Sequence, residues 1–415
     1  MVNIKAQPFN KSAEIALAIY ADALMAVHPS QLVPKHLIRS GNTITAGEFS
    51  LDLSTFDNVR IAGAGKASVE MARAVASILP DRLISGLVIT KTGHGAPLDK
   101  FEIVESAHPV PDESSIAAGQ KMLAFAASLT THDLVIFCLS GGASSLMELP
   151  APGVSLHQVQ TATQRLLAQG VNIEELNAVR SRLSRIKAGG LARAFKHVTV
   201  LVLVLSDVIG DDLATIGSGP FVPGHRHISE KLGVWSGMRQ ITSQVPLPSP
   251  PMPPHVIIGS LKNALAAAWN SANQRGLRMA PPIPFFSGES REEANKLILA
   301  GKNGCVVTGG EPVVTLTGIG RGGRAQEFAT AAAIGLKGQA DVAILAGSTD
   351  GTDGPTEAAG GLVDGDSVAR AAAHGVSAEA CLRENNSNHF LSACQGLIVT
   401  GPTGTNVNDI YLLVR

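Results

Sequence analysis

Apolar positions along this chain gather into short blocks, and the segments between the blocks carry a helical rhythm. Val59–Ala62, Leu83–Thr90, Phe101–Glu105, Asp133–Leu139 and Val198–Leu205 are largely apolar and bounded by turn residues. Such blocks mark strands buried on both faces. Between or beside them, Ser12–Val27, Ala67–Leu79, Ser155–Gln169 and Asn172–Lys187 read as helices, and Asp112 is placed to cap another. A proline-rich run, VPLPSPPMPPH at 245–255, then interrupts the pattern as a stiff linker. Beyond it the pattern restarts, with strands at Val256–Gly259, Cys305–Thr308, Val342–Ala346 and Ile410–Val414. Helices are expected there at Asn263–Arg275, Glu292–Ala300 and Gln326–Leu336. The alternation predicts an α/β protein with a doubly wound, mostly parallel sheet in residues 1–240, a linker at 241–255 and a second α/β domain at 256–415.

Composition narrows the function classes. With 415 residues and 45% hydrophobic content, the chain supports two cores and is not broadly disordered. A net charge of −1 gives no general attraction to nucleic acid or an anionic membrane. The longest apolar block, Val198–Leu205, is far too short to span a bilayer, and the first residues lack an apolar signal core. Cys138, Cys305, Cys381 and Cys394 form no CxxC pair. They read as reduced, buried thiols of a cytoplasmic protein.

Several turns after strands carry candidate chemistry. GAGKAS at 63–68 places Lys66 between a strand and a helix, where a lysine contacts phosphate. It is not a Walker A loop, since Arg60 stands where that motif needs glycine, and it misses a dinucleotide fingerprint at Ser68. SGGASS at 140–145 offers Ser140, Gly141, Gly142 and Ser144 as a phosphate or carboxylate cradle. On the helix predicted at 172–187, Asn177, Arg180, Ser184 and Lys187 form one polar stripe beside an apolar one. Residues 308–327 read as an anion-handling loop: glycines flank a strand-like run at Val313–Thr317, Arg321 and Arg324 supply guanidinium forks, and Glu311 adds a carboxylate. The helix expected after it would point its N-terminus at an anion. Asp207, Asp350 and Asp353 are carboxylates suited to Mg²⁺ shared with substrate phosphates, and the turn at 401–409 adds Thr403 and Asn408. His225 and His227 form an HxH pair that reads as a surface loop rather than a metal site.

Taken in order, GAGKAS, SGGASS, NAVRSRLSRIKAGGLA (177–192), LSDVIGDDLATIGSGP (205–220), GGEPVVTLTGIGRGGRAQE (309–327), STDGTDGPTEAAGG (348–361) and TGPTGTNVND (400–409) resemble the glycerate 2-kinases that carry a C-terminal MOFRL domain. The resemblance covers nearly the whole chain. It implies a Rossmann-like N-terminal domain, a MOFRL-type second domain and an active site in the cleft between them. It also implies ATP- and Mg²⁺-dependent phosphorylation of D-glycerate at its 2-hydroxyl. The family's conserved lysine and arginine fall on Lys66 and Arg321, and Asp207 or Asp350 would carry Mg²⁺ or orient the hydroxyl. The partners implied are a nucleotide and a small hydroxy acid, with no nucleic acid or membrane, and a homodimer is compatible. Gly190, Gly224 and Ala325 depart from the family pattern. The alternatives are an NAD(P)H-dependent hydroxypyruvate reductase, a kinase for another small hydroxy acid, and a binding protein that has lost catalysis.

Overall fold

The computed structural model describes residues 3–168, 173–223 and 252–415, apart from the side chains of residues 167, 168 and 173–175. The chain divides into two compact units, residues 32–258 and residues 1–31 joined with 259–415. The expected domains, 1–240 and 256–415 about a linker at 241–255, place residues 1–31 in the N-terminal domain, whereas here they join the C-terminal unit. The first helix, Lys11–Ala26, packs on the C-terminal unit against helix Leu261–Gln274. Tyr20 explains why: its ring lies where a side chain on Gly347 would stand, and its hydroxyl donates to Ser348 O at 2.5 Å. Most of the expected linker, 241–251, and the His225–His227 pair lie outside the described residues.

The unit 32–258 opens with an antiparallel meander, β1 (Leu37–Ser40), β2 (Thr43–Ala46) and β3 (Phe49–Asp52). Its main sheet holds β4 (Asn58–Ala64), β5 (Leu83–Lys91), β6 (Phe101–Ser106), β7 (Asp133–Ser140), β8 (Thr199–Leu205) and β9 (His255–Gly259), in the order β6-β5-β4-β7-β8-β9. The pairs β5–β6, β4–β5, β4–β7 and β7–β8 are parallel. Every residue of β7 is buried, as expected of a strand covered on both faces. One face carries helix Glu113–Ala127 and a Phe137–Phe195–Phe221 aromatic group, and the other carries helix Ser68–Ile78. Asp112 caps the former helix by accepting from Ser114 N at 2.8 Å. The order reverses between β4 and β7, so their carboxyl ends mark the topological switch point, where open α/β sheets bind ligands.

The other unit is built on β10 (Val306–Gly310), β11 (Ala343–Ser348), β12 (Gly360–Asp364), β13 (Leu397–Ile398) and β14 (Asp409–Val414), ordered β10-β14-β11-β12-β13. All four pairings are antiparallel, a feature the block pattern did not reveal. The alanine-rich helix Arg324–Leu336 is buried along most of its length against this sheet. The strand expected at Val313–Thr317 is instead an extended loop. Among the described residues it has no ladder partner beyond a single bridge at Val313, and Leu316 is 78% exposed. Among the described residues, no single helix is long and apolar enough to cross a membrane. The four cysteines are buried and unpaired.

Candidate functional site

At the switch point of unit 32–258 the turns after β4 and β7 interlock. Lys66 N donates to Gly141 O at 3.0 Å, Ala67 N to Ser140 Oγ at 3.1 Å, and Ser68 Oγ to Cys138 O at 2.9 Å. Gly65 has φ of +134°, and a Cβ there would lie 2.2 Å from Ser140 Oγ. Only glycine permits this approach. Gly65 N and Ser68 N are also satisfied, by Ile89 O and Gly65 O. The amides of residues 65–68 are therefore spent on the protein, and what this turn offers a ligand is the Lys66 side chain. Ser140, wholly buried and engaged with Ala67 and Ser68, is a structural link rather than the ligand contact expected of it.

The next turn is different. Gly142 is left-handed at φ +87°, and the amides of Gly142, Ala143 and Ser144 donate to no acceptor among the described residues. A Cβ on Gly142 would stand 3.1 Å from the His108 ring and 3.3 Å from Lys66 Cγ, so both side chains flank this turn. Such a set of amides beside a lysine is an anion receptor. Asp207 follows β8 on the same carboxyl edge of the sheet and is half-buried.

The expected helix at 172–187 ends at Arg182. Ser184 leaves the helical path to donate to Glu148 Oε1 at 2.5 Å and to accept from Ile186 N at 3.2 Å, a local competition that serine favours. The four-residue polar stripe therefore does not form. Asn177 is buried and Arg180 half-buried on the helix, while Lys187 reaches the site from a separate turn. Lys187 is not a ligand contact: its ammonium, wholly buried, pairs with Glu148 and donates to Ser144 O at 2.8 Å. Burial lowers its pKa, an effect that Glu148 opposes and Arg180 reinforces.

In the second unit the expected anion loop spends most of its amides internally. Gly318 N and Gly320 N donate to Asn385 Oδ1 and Glu384 O at 2.9 Å each. The Arg321 backbone is clamped by Asn386 Oδ1 at 3.1 Å and Asn388 N at 3.0 Å. The Arg321 side chain remains exposed, with Nη2 on Pro355 O at 3.1 Å. Arg324, by contrast, is held by Asp409 at 2.6 Å and by Glu311, so its charge is used within the protein. Burial acts against that charge, but Asp409 and Glu311 outweigh it and raise the pKa. Asn408 Nδ2 donates to Glu311 Oε2 at 3.2 Å. Thr403, buried, donates to Thr349 O and ties two turns together instead of facing a ligand.

Asp353 is the larger correction. Its carboxylate accepts from Ala325 N at 3.1 Å and from Gln326 N and Nε2 at 2.8 and 3.0 Å. It occupies the helix N-terminus expected to attract a ligand, and three of its acceptor positions are used within the protein. Asp350 Oδ1 accepts from Ser348 Oγ, Thr352 N and Thr352 Oγ at 2.8–3.1 Å. Among the described residues no cluster of three His, Cys, Asp or Glu side chains is arranged to hold a metal. Burial, aided by the Asp409 charge, pushes the Asp353 carboxyl up to about 7 against the pull of the Gln326 and Ala325 amides. The folded state then keeps a proton that an unfolded carboxyl, at 3.8, releases. Stability should therefore fall as pH rises from 3.8 to about 7 and level off above. Asp353→Asn should flatten that slope in urea midpoints measured across the range. A variant with the wild-type slope would rule Asp353 out as its source.

The comparisons with known proteins bear on this arrangement. Residues 15–246 match the model of a domain of unknown function, DUF4147, and residues 304–409 match the MOFRL family. A D-glycerate 2-kinase from Thermotoga maritima is 37% identical, over 96% of this chain and 97% of that protein. The chain belongs to the glycerate 2-kinase family. A glycerate kinase crystal structure from Thermotoga maritima aligns with a TM-score of 0.80 at 36% identity, covering 97% of this chain and 98% of the other. An Agrobacterium vitis relative, 37% identical over 85% of this chain and 86% of its own length, carries a provisional hydroxypyruvate reductase name.

Two of this family member's departures have structural consequences. A Cβ on Gly190 would lie 2.1 Å from Arg185 O, so the local path excludes a side chain there. Ala325 is fully buried in the core of its unit, with only its amide directed at Asp353. Gly224 lies outside the described residues. Sequence reasoning did not single out His108 or Ser218. No periodic signal marks His108, whereas Ser218 sits in GSG, a spacing that hints at unusual backbone.

Proposed function

We propose that this protein is a glycerate 2-kinase, transferring the γ-phosphoryl group of ATP to the 2-hydroxyl of D-glycerate. The reading is carried by one observation: a lysine and three uncommitted amides meet at the switch point of the parallel sheet, in a chain of this family. Phosphoryl transfer asks a protein mainly for positioning and charge neutralisation. The amides of Gly142, Ala143 and Ser144 would hold phosphate oxygens, and Lys66 would balance the charge of the transferring group. Arg321, the position on which the family's conserved arginine falls, is an exposed guanidinium of its own unit and a candidate phosphate contact. In the step itself the glycerate O2 bonds to the γ-phosphorus, the bond from phosphorus to the β,γ-bridging oxygen breaks, and ADP leaves. Asp207 is the carboxylate proposed to accept the hydroxyl proton or to hold Mg²⁺ together with phosphate oxygens. Bound there, Mg²⁺ would neutralise phosphate charge. Four buried, unpaired thiols support a cytoplasmic setting.

The reductase alternative is weakened by the first turn. Binding a dinucleotide pyrophosphate needs open amides after the first strand, and here residues 65–68 have none to offer. Incubation with D-glycerate, ATP and Mg²⁺, in parallel with hydroxypyruvate and NADH, should give ADP in the first reaction and no NADH oxidation in the second. The reverse pattern would favour the reductase.

A further inference from the structure

Beside the turn that flanks Lys66 lies a second polar group with its own charge. Arg180, in the last turn of helix Ile173–Arg182, donates from Nη2 to Ser144 Oγ at 3.0 Å, and Ser144 Oγ lies 2.8 Å from Ser218 Oγ. The Arg180 Nε is buried and has no hydrogen-bond partner. Among the described residues no carboxylate forms an ion pair with Arg180. The acid that acts on it electrostatically, Glu148, is already occupied by Lys187, Ser184 and Leu149 N. Among the described residues Arg180 is thus a half-buried cation with no counter-ion, desolvated by its surroundings. A guanidinium so placed is a receptor for a planar anion.

The serines are held with care. Gly217, Ser218 and Gly219 have φ of +58°, +61° and +60°, three consecutive left-handed residues with a side chain on the middle one. That conformation is unfavourable for serine and persists where the surroundings impose it. Ala188 N and Gly189 N supply the constraint, donating to Ser218 O at 3.0 Å and Gly219 O at 2.8 Å. Ala188 and Gly189 are themselves left-handed, at +48° and +77°. From below, Lys187 grips Ser144 O. Two hydroxyls and one guanidinium are thereby fixed around one point.

We propose that Arg180, Ser144 and Ser218 form the carboxylate subsite that selects a 2-hydroxy acid, with Lys187 and Glu148 as positioning residues beneath it. One cation and two hydroxyls match a monocarboxylate, whereas the more highly charged phosphates fall to Lys66 and the open amides. The proposal rests on the kinase reading for its substrate, but binding tests it without turnover. Isothermal titration of the full chain with D-glycerate, glycerol and ATP should show that Arg180→Gln weakens D-glycerate by about 100-fold. ATP affinity should stay within about 3-fold, and Ser218→Ala should weaken D-glycerate by about 10-fold. Arg180→Lys, which keeps the charge and loses the fork, should fall between wild type and Arg180→Gln. In turnover, Arg180→Gln should raise KM for D-glycerate far more than it lowers kcat. Weakened ATP with unchanged D-glycerate would overturn the proposal, as would unchanged binding of both or wild-type protein that binds glycerol as well as D-glycerate. Wild type that binds D-glycerate through Arg180 yet forms no ADP would instead refute the kinase reading and leave the subsite standing. Weakened D-glycerate binding in Arg180→Lys and Ser218→Ala, with wild-type thermal midpoints in both, excludes misfolding as the cause.

Discussion

Lys66→Ala should lower kcat for D-glycerate phosphorylation by about 10²–10³-fold, the scale of removing one preorganised charge from a developing transition state. The expectation follows from how its turn is built. Every amide from residue 65 to 68 is bonded within the protein, so the turn has no second means of holding phosphate. The side chain, set against Gly142 at the carboxyl ends of β4 and β7, carries its contribution alone. KM for D-glycerate should change far less than kcat, because the lysine is assigned to the moving phosphoryl group and not to the acid. Steady-state kinetics with both substrates varied give the answer. A variant with near-wild-type kcat would remove Lys66 from the chemistry. Arg321→Ala combined with Lys66→Ala in a double-mutant cycle then reports whether the two cations act on one step, since independent groups give additive losses.

The second large effect is on stability. Lys187→Met should destabilise the unit 32–258 by about 3–5 kcal/mol, because it strands the Glu148 carboxylate in a fully buried position. Ser184 Oγ and Leu149 N would still donate to Glu148 Oε1, but the charge would lose its counter-ion. Replacing both members, Glu148→Met with Lys187→Met, should recover much of the loss, since the desolvation cost of both charges disappears together. Hydrogen exchange of β7 and β8 peptides reads this unit directly. Protection should drop in the single variant and return in the double. Unchanged protection in Lys187→Met would mean that the pair adds nothing to the fold.

The parallel sheet was legible because burial on both faces writes itself as uninterrupted apolar runs, as at Asp133–Leu139. The meander β1–β3 was not, since its four-residue strands are part exposed and give no run. β12 was hidden by its glycines: Gly360 and Gly361 are there for close approach to Ala346, Ala329 and Leu391, and glycine reads as turn. The union of the first helix with the C-terminal unit depends on Tyr20 meeting Gly347, a contact across more than three hundred residues that no periodicity encodes. At the site, Lys66 and the Ser140–Ser144 turn were readable from position after strands. The roles of Arg324, Lys187 and Asp353 were not, because sequence shows a charge but not its partner. Each of the three turns out to be bound within the fold, while among the described residues no ion pair engages Arg180 or Arg321.

Transfer of phosphate to the 2-hydroxyl of D-glycerate is read most directly from the product, by ³¹P and ¹³C nuclear magnetic resonance. Purified protein with ATP, Mg²⁺ and ¹³C-labelled D-glycerate should yield a product whose phosphorus couples to C2 as a secondary ester, with ADP formed in equal amount. Phosphate on C3, or labelled glycerate left unchanged while hydroxypyruvate is reduced by NADH, would contradict a glycerate 2-kinase activity.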